Sequence, residues 1–318
     1  MPDTISCMHD GLTSIVIPSF RSSATLEPLV SRILAACSAG SVEVIIVEDG
    51  ESSECWGTIQ ALSRRFPQLR GLRLGRNSGQ HGALLAGIRE ARGQVIVTLD
   101  DDLQNPPEEI PRLLAALSED VDVVYGVPES VNHAASRRMT SRLSKTLLHK
   151  TLGFNSAVSI SPFRAFRTHL RSSFSGNLGP NVSIDALLTW STHRFATVTV
   201  SHAQRAVGRS NYTTRKLVRF MIDTATGYST LPLRLATSLG FFMLLFGAAV
   251  LVYVISRPLL TGQSVAGFPF LASTITIFAG TQLLVLGILG EYIGRMHFRV
   301  MNRPTYFIAE RTDEADVA

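Results

Sequence analysis

Three consecutive aspartates, Asp100, Asp101 and Asp102, open the stretch DDDLQNPP. Carboxylates crowded in this way repel one another unless a cation sits among them. Hard oxygen donors suit Mg2+ or Mn2+, and Mg2+ commonly shares its shell with substrate phosphates. Asp100 and Asp102 are two positions apart, so an extended chain turns both to one side and Asp101 elsewhere. Alone, the pattern equally fits a solvated acidic loop capping the helix that Pro106 and Pro107 would start. Two more polar groups stand where apolar runs end. Asp49 follows EVIIV within Glu48-Asp49-Gly50, and Arg76-Asn77 follows the run Leu69–Leu74.

The elements that would position these groups are short β-branched runs alternating with helical stretches. Strands are predicted at 13–17 (TSIVI), 43–47 (EVIIV), 69–74, 94–99 (QVIVTL) and 122–125 (DVVY). Between them, Leu26, Leu29, Val30, Ile33 and Leu34 recur at helical spacing over 25–36, and 82–91 and 108–117 read similarly. Such alternation implies an α/β fold with a mostly parallel sheet covered on both faces. Ligands bind beyond the carboxyl ends of strands in such sheets. Asp49, Arg76 and the aspartate cluster all fall there. No G-x-G-x-x-G follows the first strand and no G-x-x-x-x-G-K-[ST] occurs, which argues against a dinucleotide-binding domain or a P-loop.

Several motifs lie in register along the chain: SIVIP at 14–18, Asp49-Gly50, RNSGQ at 76–80, D-x-D-L-Q-x-P-P-E at 100–108, R-x-x-G-x-S-x-Y at 205–212 and GEYIGR at 290–295. Together they resemble the polyprenyl-phosphate glycosyltransferases, family-2 enzymes of GT-A fold, and cover the chain from Ser14 to about Tyr306. The resemblance implies transfer of a sugar from a nucleotide-sugar donor to a polyprenyl phosphate acceptor. It implies that Pro18, Asp49 and Arg76 line the nucleotide pocket and that Asp100, Asp102 and Gln104 hold the metal. It places Arg205, Ser210 and Tyr212 against phosphate groups, a role for which the permanently charged, forked guanidinium is suited.

The chain departs from that pattern around 155–164, NSAVSISPFR, where relatives carry an acid a few positions before F-R and Val158 or Ser159 stands here. Asp185 is the nearest unassigned acid downstream and is the candidate substitute base; a solvated Asp at a helix start fits it equally. A phosphate monoester has a second pKa near about 6, so such an acceptor is already largely dianionic at neutral pH. Two other readings remain: transfer to a hydroxyl of a glycan or glycolipid, and an inactive protein that binds nucleotide-sugar or lipid phosphate. Glu48 and Glu51 also depart from the pattern.

Among 318 residues, 45% are hydrophobic and only 17% charged, with mean hydropathy +0.20. Residues 235–256 and 268–290 are uncharged runs long enough to cross about 30 Å of hydrocarbon. Arg215, Lys216, Arg219 and Arg234 precede the pair, Arg295, Arg299 and Arg303 follow it, and the connecting loop has only Arg257. The positive-inside rule then puts 1–212 in the cytoplasm as the catalytic domain, 213–234 at the membrane surface, 235–294 as a transmembrane hairpin and 295–318 as a cytoplasmic tail. That describes a multi-pass protein of the inner (plasma) membrane. Gly280, Gly287, Gly290 and Gly294 permit close packing of the second span against the first or against another copy of the chain.

The net charge is +5. Basic stretches at 137–150 (RRMTSRLSKTLLHK) and 214–228 interleave apolar residues, as helices lying in a bilayer interface do. With spans adjacent, this basic excess points to lipid rather than nucleic acid. Cys7, Cys37 and Cys55 are too few and too scattered for a disulfide framework or a zinc site. The first twelve residues lack the apolar core of a signal peptide.

Overall fold

A computed structural model describes residues 11–37, 41–50, 52–128, 160–176, 182–203, 231–261, 267–301 and 304–313. Residues cluster into two compact units, one comprising 1–212 with 302–318 and the other 213–301.

The first unit is built on one mixed sheet. Its strands are β1 (Thr13–Ser19), β2 (Val42–Glu48), β3 (Leu69–Leu74), β4 (Val95–Thr98), β5 (Val123–Pro128), β6 (Arg164–Arg167), β7 (Phe195–Val200) and β8 (Ile308–Arg311), in the order β7-β5-β6-β4-β1-β2-β3-β8. The central strands β4, β1, β2 and β3 are parallel, so their carboxyl ends share one rim. Strand β6 runs antiparallel between β4 and β5, and β8 runs antiparallel along β3. The helices are α1 (Ser23–Ala36), α2 (Ser53–Arg65), α3 (Gln80–Glu90), α4 (Ile110–Ala115) and α5 (Ile184–Ser191).

Period-2 alternation sorts the strand residues onto two cores. Ile15, Ile17, Val44, Ile46 and Val97 face α1, α2 and α4 through Leu29, Ile33, Ile59 and Leu113. Val16, Ile45, Val47 and Ile96 face α3 and α5 through Leu84, Leu85, Ile88 and Leu188. Both faces are covered, which is why β1 and β2 are buried along their whole length. Helix α3 lies tight on β1: a Cβ added at Gly87 would come 2.4 Å from Val16 Cγ1.

Strand β8 is a feature that the sequence pattern does not announce, since IAER is short and ends in two charges. Side chains fasten it. The Trp56 indole donates to Glu310 (2.8 Å), Arg73 donates to Glu310 (2.7 Å), and Arg311 makes a two-pronged pair with Glu90 (2.8 Å each). Thr312 bonds Gly71 through its hydroxyl and its amide. The segment after the apolar helices is thereby part of the sheet domain.

The second unit holds α6 (Leu231–Thr261) and α7 (Gly267–Val300). Both are long and apolar enough to cross a membrane, with candidate spans Pro232–Arg257 and Ser273–Gly294, and among the described residues of these spans all but Ala236 are at least partly exposed. The two helices meet where Gly247 admits the Phe278 ring, whose nearest atom would lie 2.7 Å from an added Cβ. The second span thus packs against the first, one of the two alternatives foreseen, but the small residue at the crossing comes from α6: among the described residues, a Cβ added at Gly280, Gly287, Gly290 or Gly294 would meet nothing within 4 Å.

Candidate active site

Four strand ends contribute to the rim. Pro18 is buried within β1, level with Val47 of β2, and shapes the floor rather than presenting a polar group. At the end of β2, Asp49 is 4% exposed and its carboxylate receives two backbone amides, Ser78 N–H at 2.7 Å and Gly79 N–H at 2.9 Å. Asp49 therefore sets the course of the loop between β3 and α3. Gly50 makes this possible: its φ is +79°, and a Cβ there would meet the Arg76 backbone at 2.6 Å. Glu48, fully buried, accepts from Gly50 N–H (3.0 Å) and Ser52 N–H (2.8 Å) and has Arg73 at 3.5 Å. Arg76, on that loop, donates to the Pro304 carbonyl at 3.0 Å, so the segment leading into β8 touches the same rim.

The β4 end carries the acids. Asp101 turns toward the β1 end, accepting from Phe20 N–H at 3.3 Å. Asp100 turns toward α3 and accepts from the Gln80 amide at 2.7 Å. Asp102 accepts from Gln104 N–H at 3.1 Å, closing a turn in which Leu103 has φ +60°. The other non-glycine residue with positive φ among the described residues is Arg21, just beyond β1. Backbone strain of this kind is held in place only where surrounding structure over-determines it, and both instances border the rim. The Gln104 carbonyl accepts from Ala203 N–H at 2.9 Å. The chain thus leaves the described region toward Arg205 from beside the acidic turn.

Burial first, then the charges of Asp102 and Asp101, push the Asp100 carboxyl up to about 6; Arg164 and the Gln80 hydrogen bond oppose this. Burial likewise raises Asp101, against hydrogen bonds from Ser22, Phe20 and Ser19. Among the described residues, no three His, Cys, Asp or Glu side chains form a ready-made metal cage. A raised Asp100 carboxyl with Asp102 on the same turn, the rest of a shell left to phosphate and water, fits Mg2+ or Mn2+ of the substrate-sharing kind.

Behind Asp100 lies a buried polar network. Arg164, 1% exposed, stands level with Thr98 and Tyr125 in the sheet. Its Nε donates to Thr98 Oγ1 at 3.1 Å and its NH1 to Asp185 Oδ1, which also accepts from the Tyr125 hydroxyl at 3.1 Å. His81 Nδ1 accepts from Ile184 N–H at 3.4 Å, and burial lowers its pKa. Asp185 sits in the first turn of α5, whose N-cap Ser183 accepts from Ala186 N–H. Apart from Asp185, the network, and Gln80 with it, escapes sequence reading: a buried arginine looks like any surface one in a linear window. For Gln80 the signal was present, as the last residue of RNSGQ.

The structure thus brings Asp49, at the end of β2, against the loop that carries Arg76, and Asp100, Asp102 and Gln104 onto one turn. Asp185 lies in the network beyond them. Arg205, Ser210, Tyr212, Val158, Ser159 and both basic amphipathic stretches fall outside the described residues.

Residues 14–173 match the family described as Glycosyl transferase family 2. The chain belongs to glycosyl transferase family 2. Over 302 residues, 93% of each chain, this family 2 glycosyltransferase is 36% identical to an undecaprenyl-phosphate 4-deoxy-4-formamido-L-arabinose transferase of Aeromonas hydrophila subsp. hydrophila. A protein of the same description from Yersinia pestis is 34% identical over 310 residues, covering 94% of this chain and 95% of its own. Among solved structures, glucosyl-3-phosphoglycerate synthase from Mycobacterium tuberculosis, in complex with Mn2+, uridine diphosphate and glucosyl-3-phosphoglycerate, superposes with a TM-score of 0.53. It is 18% identical, over 70% of this chain and 80% of that one. The shared element is the fold, the GT-A sheet expected from the sequence.

Proposed function

We propose that this glycosyltransferase moves a sugar from a UDP- or GDP-linked donor to a polyprenyl phosphate, with inversion, at the cytoplasmic face of the inner membrane. The observation carrying this reading is the acidic turn at the carboxyl rim, where burial and the neighbouring acids raise the Asp100 carboxyl. It occurs in a chain aligned over 93% of its length with an undecaprenyl-phosphate sugar transferase.

Asp100 and Asp102, with Gln104, would hold Mg2+ or Mn2+, which draws negative charge from the departing diphosphate. The Asp49 clamp on Ser78 and Gly79 shapes the loop that receives the nucleotide, with Pro18 beneath it and Arg76 beside it. Arg205, Ser210 and Tyr212 are assigned to donor or lipid phosphate. An acceptor phosphate oxygen forms the new bond to the anomeric carbon on the face opposite the leaving group. The bond to the diphosphate breaks, its electron pair leaving on the diphosphate oxygen. A dianionic acceptor brings its own nucleophile, so positioning replaces deprotonation.

The test is a panel of nucleotide-sugars offered to the purified chain with undecaprenyl phosphate and divalent metal, read by mass. One donor should yield a lipid-linked monosaccharide carrying a single phosphate. Transfer only to glycan hydroxyls, or donor binding without any product, would replace this reading by one of its rivals.

A further inference from the structure

Arg164 is a full positive charge almost entirely removed from water, and it bears on two carboxylates: Asp185, hydrogen-bonded to it, and Asp100, two residues beyond its partner Thr98, whose ionisation its charge favours. Which of the two it serves decides how much charge remains at the β4 rim. The geometry commits it to Asp185. The Thr98 hydroxyl donates to the Pro162 carbonyl at 2.6 Å, so its lone pair faces the Arg164 Nε and fixes the plane of the guanidinium. The Tyr125 hydroxyl adds a second donor on Asp185 Oδ1, at 3.1 Å. The His81 imidazole holds Ile184 N–H and so pins the first turn of α5 against α3. The preceding residue of α3, Gln80, gives Asp100 a neutral amide, the single hydrogen bond Asp100 makes among the described residues.

We propose that Asp185 is a positioning residue: it is the counter-charge that holds the Arg164 guanidinium off Asp100 and so leaves the Asp100 carboxylate available to a divalent cation. The proposal rests on the reading of Asp100 and Asp102 as cation-holding carboxylates. It gives Asp185 a task that needs no contact with the acceptor. It also accounts for a buried ion pair behind an acidic rim, a place where an apolar pair of similar volume would serve stability equally well. With the Asp185 charge gone, the acid whose charge still acts on Arg164 is Asp100, and a guanidinium paired with Asp100 would compete directly with metal.

The deciding experiment is Mn2+ binding to the purified full chain in detergent, followed by electron paramagnetic resonance, with and without uridine diphosphate. Asp185→Asn should weaken Mn2+ binding about tenfold or more, the range typical of groups supporting metal ligands. The double variant Arg164→Met with Asp185→Asn should bring the affinity back to within about threefold of wild type, because no unpaired guanidinium remains. In turnover, Asp185→Asn should raise the metal concentration for half-maximal rate, with kcat at saturating metal recovering to within about threefold. Tyr125→Phe removes one hydroxyl only; it should weaken binding about twofold to threefold and serves if Asp185→Asn fails to fold. Unchanged Mn2+ affinity in Asp185→Asn, or in Tyr125→Phe where that variant must stand in, overturns the inference and leaves the metal reading intact. Wild-type protein that binds no Mn2+ under either condition overturns both.

Discussion

At the residue scale, the rim is a problem of charge. Asp100 is caught between burial and two acidic neighbours, with a single amide and the Arg164 charge in its favour. A cation relieves that conflict, so removing a ligand should cost far more than removing a surface acid. Asp102→Ala is expected to lower transfer about 100-fold or more while leaving the thermal midpoint within a few degrees, checked by lipid-product assay beside calorimetry. Gly50→Ala should be worse for folding than for chemistry. Its left-handed backbone and the 2.6 Å approach to Arg76 leave no room for a methyl group, and a loss of about 1–3 kcal/mol is expected in denaturant unfolding. The acidic cluster was legible in the sequence because crowded carboxylates are unusual anywhere. Arg164 was not, because its significance lies in its burial and its partners, neither of which spacing reveals.

At the element scale, the central parallel strands and the covering helices α1, α3 and α4 follow from period-2 and period-3.6 patterns, and the structure places β1 to β5 close to their sequence positions. The strands that pattern reading missed are β6, β7 and β8. Strands β6 (RAFR) and β8 (IAER) have four residues each, with a charge at one or both ends, and owe their place to pairing with neighbours already in the sheet. Tertiary pairing overrides weak local preference there. The hold on β8 is partly electrostatic and therefore pH-dependent. The Arg311 hydrogen bonds, against burial and with the Arg311 and Arg70 charges, keep the Glu90 pKa below its usual 4.5. A carboxylate depressed in the folded state adds stability above its unfolded pKa and loses it as the pH falls through the folded one. Hydrogen-exchange protection of the 308–312 amides should therefore hold at pH 6 and drop below about pH 4, and Glu90→Gln should reduce that dependence. Gly87→Val tests the α3–β1 contact: the 2.4 Å approach to Val16 predicts about 1–3 kcal/mol of destabilisation, measured by urea unfolding.

At the scale of the whole molecule, the chain joins a sheet domain to two apolar helices and then returns to that domain to add β8. The helices expose large side chains all round, Leu244, Val252 and Leu283 among them, a surface that water does not tolerate in a monomer. The protein should stay in the membrane pellet through high-salt and alkaline washes and leave it only with detergent; release by alkali would contradict a spanning hairpin. The spans were plain in the sequence because long uncharged runs need no partner to be recognised. Their packing was not, since the choice of Gly247 over the α7 glycines depends on which faces meet.

The most direct test of the whole account is transfer to undecaprenyl phosphate with the metal removed and restored. Purified protein with its donor should form a lipid-linked sugar with Mn2+ or Mg2+ present, stop when the metal is chelated, and resume when it is added back. Asp102→Ala should stay inactive throughout. Full transfer under chelation, or by Asp102→Ala, would contradict it.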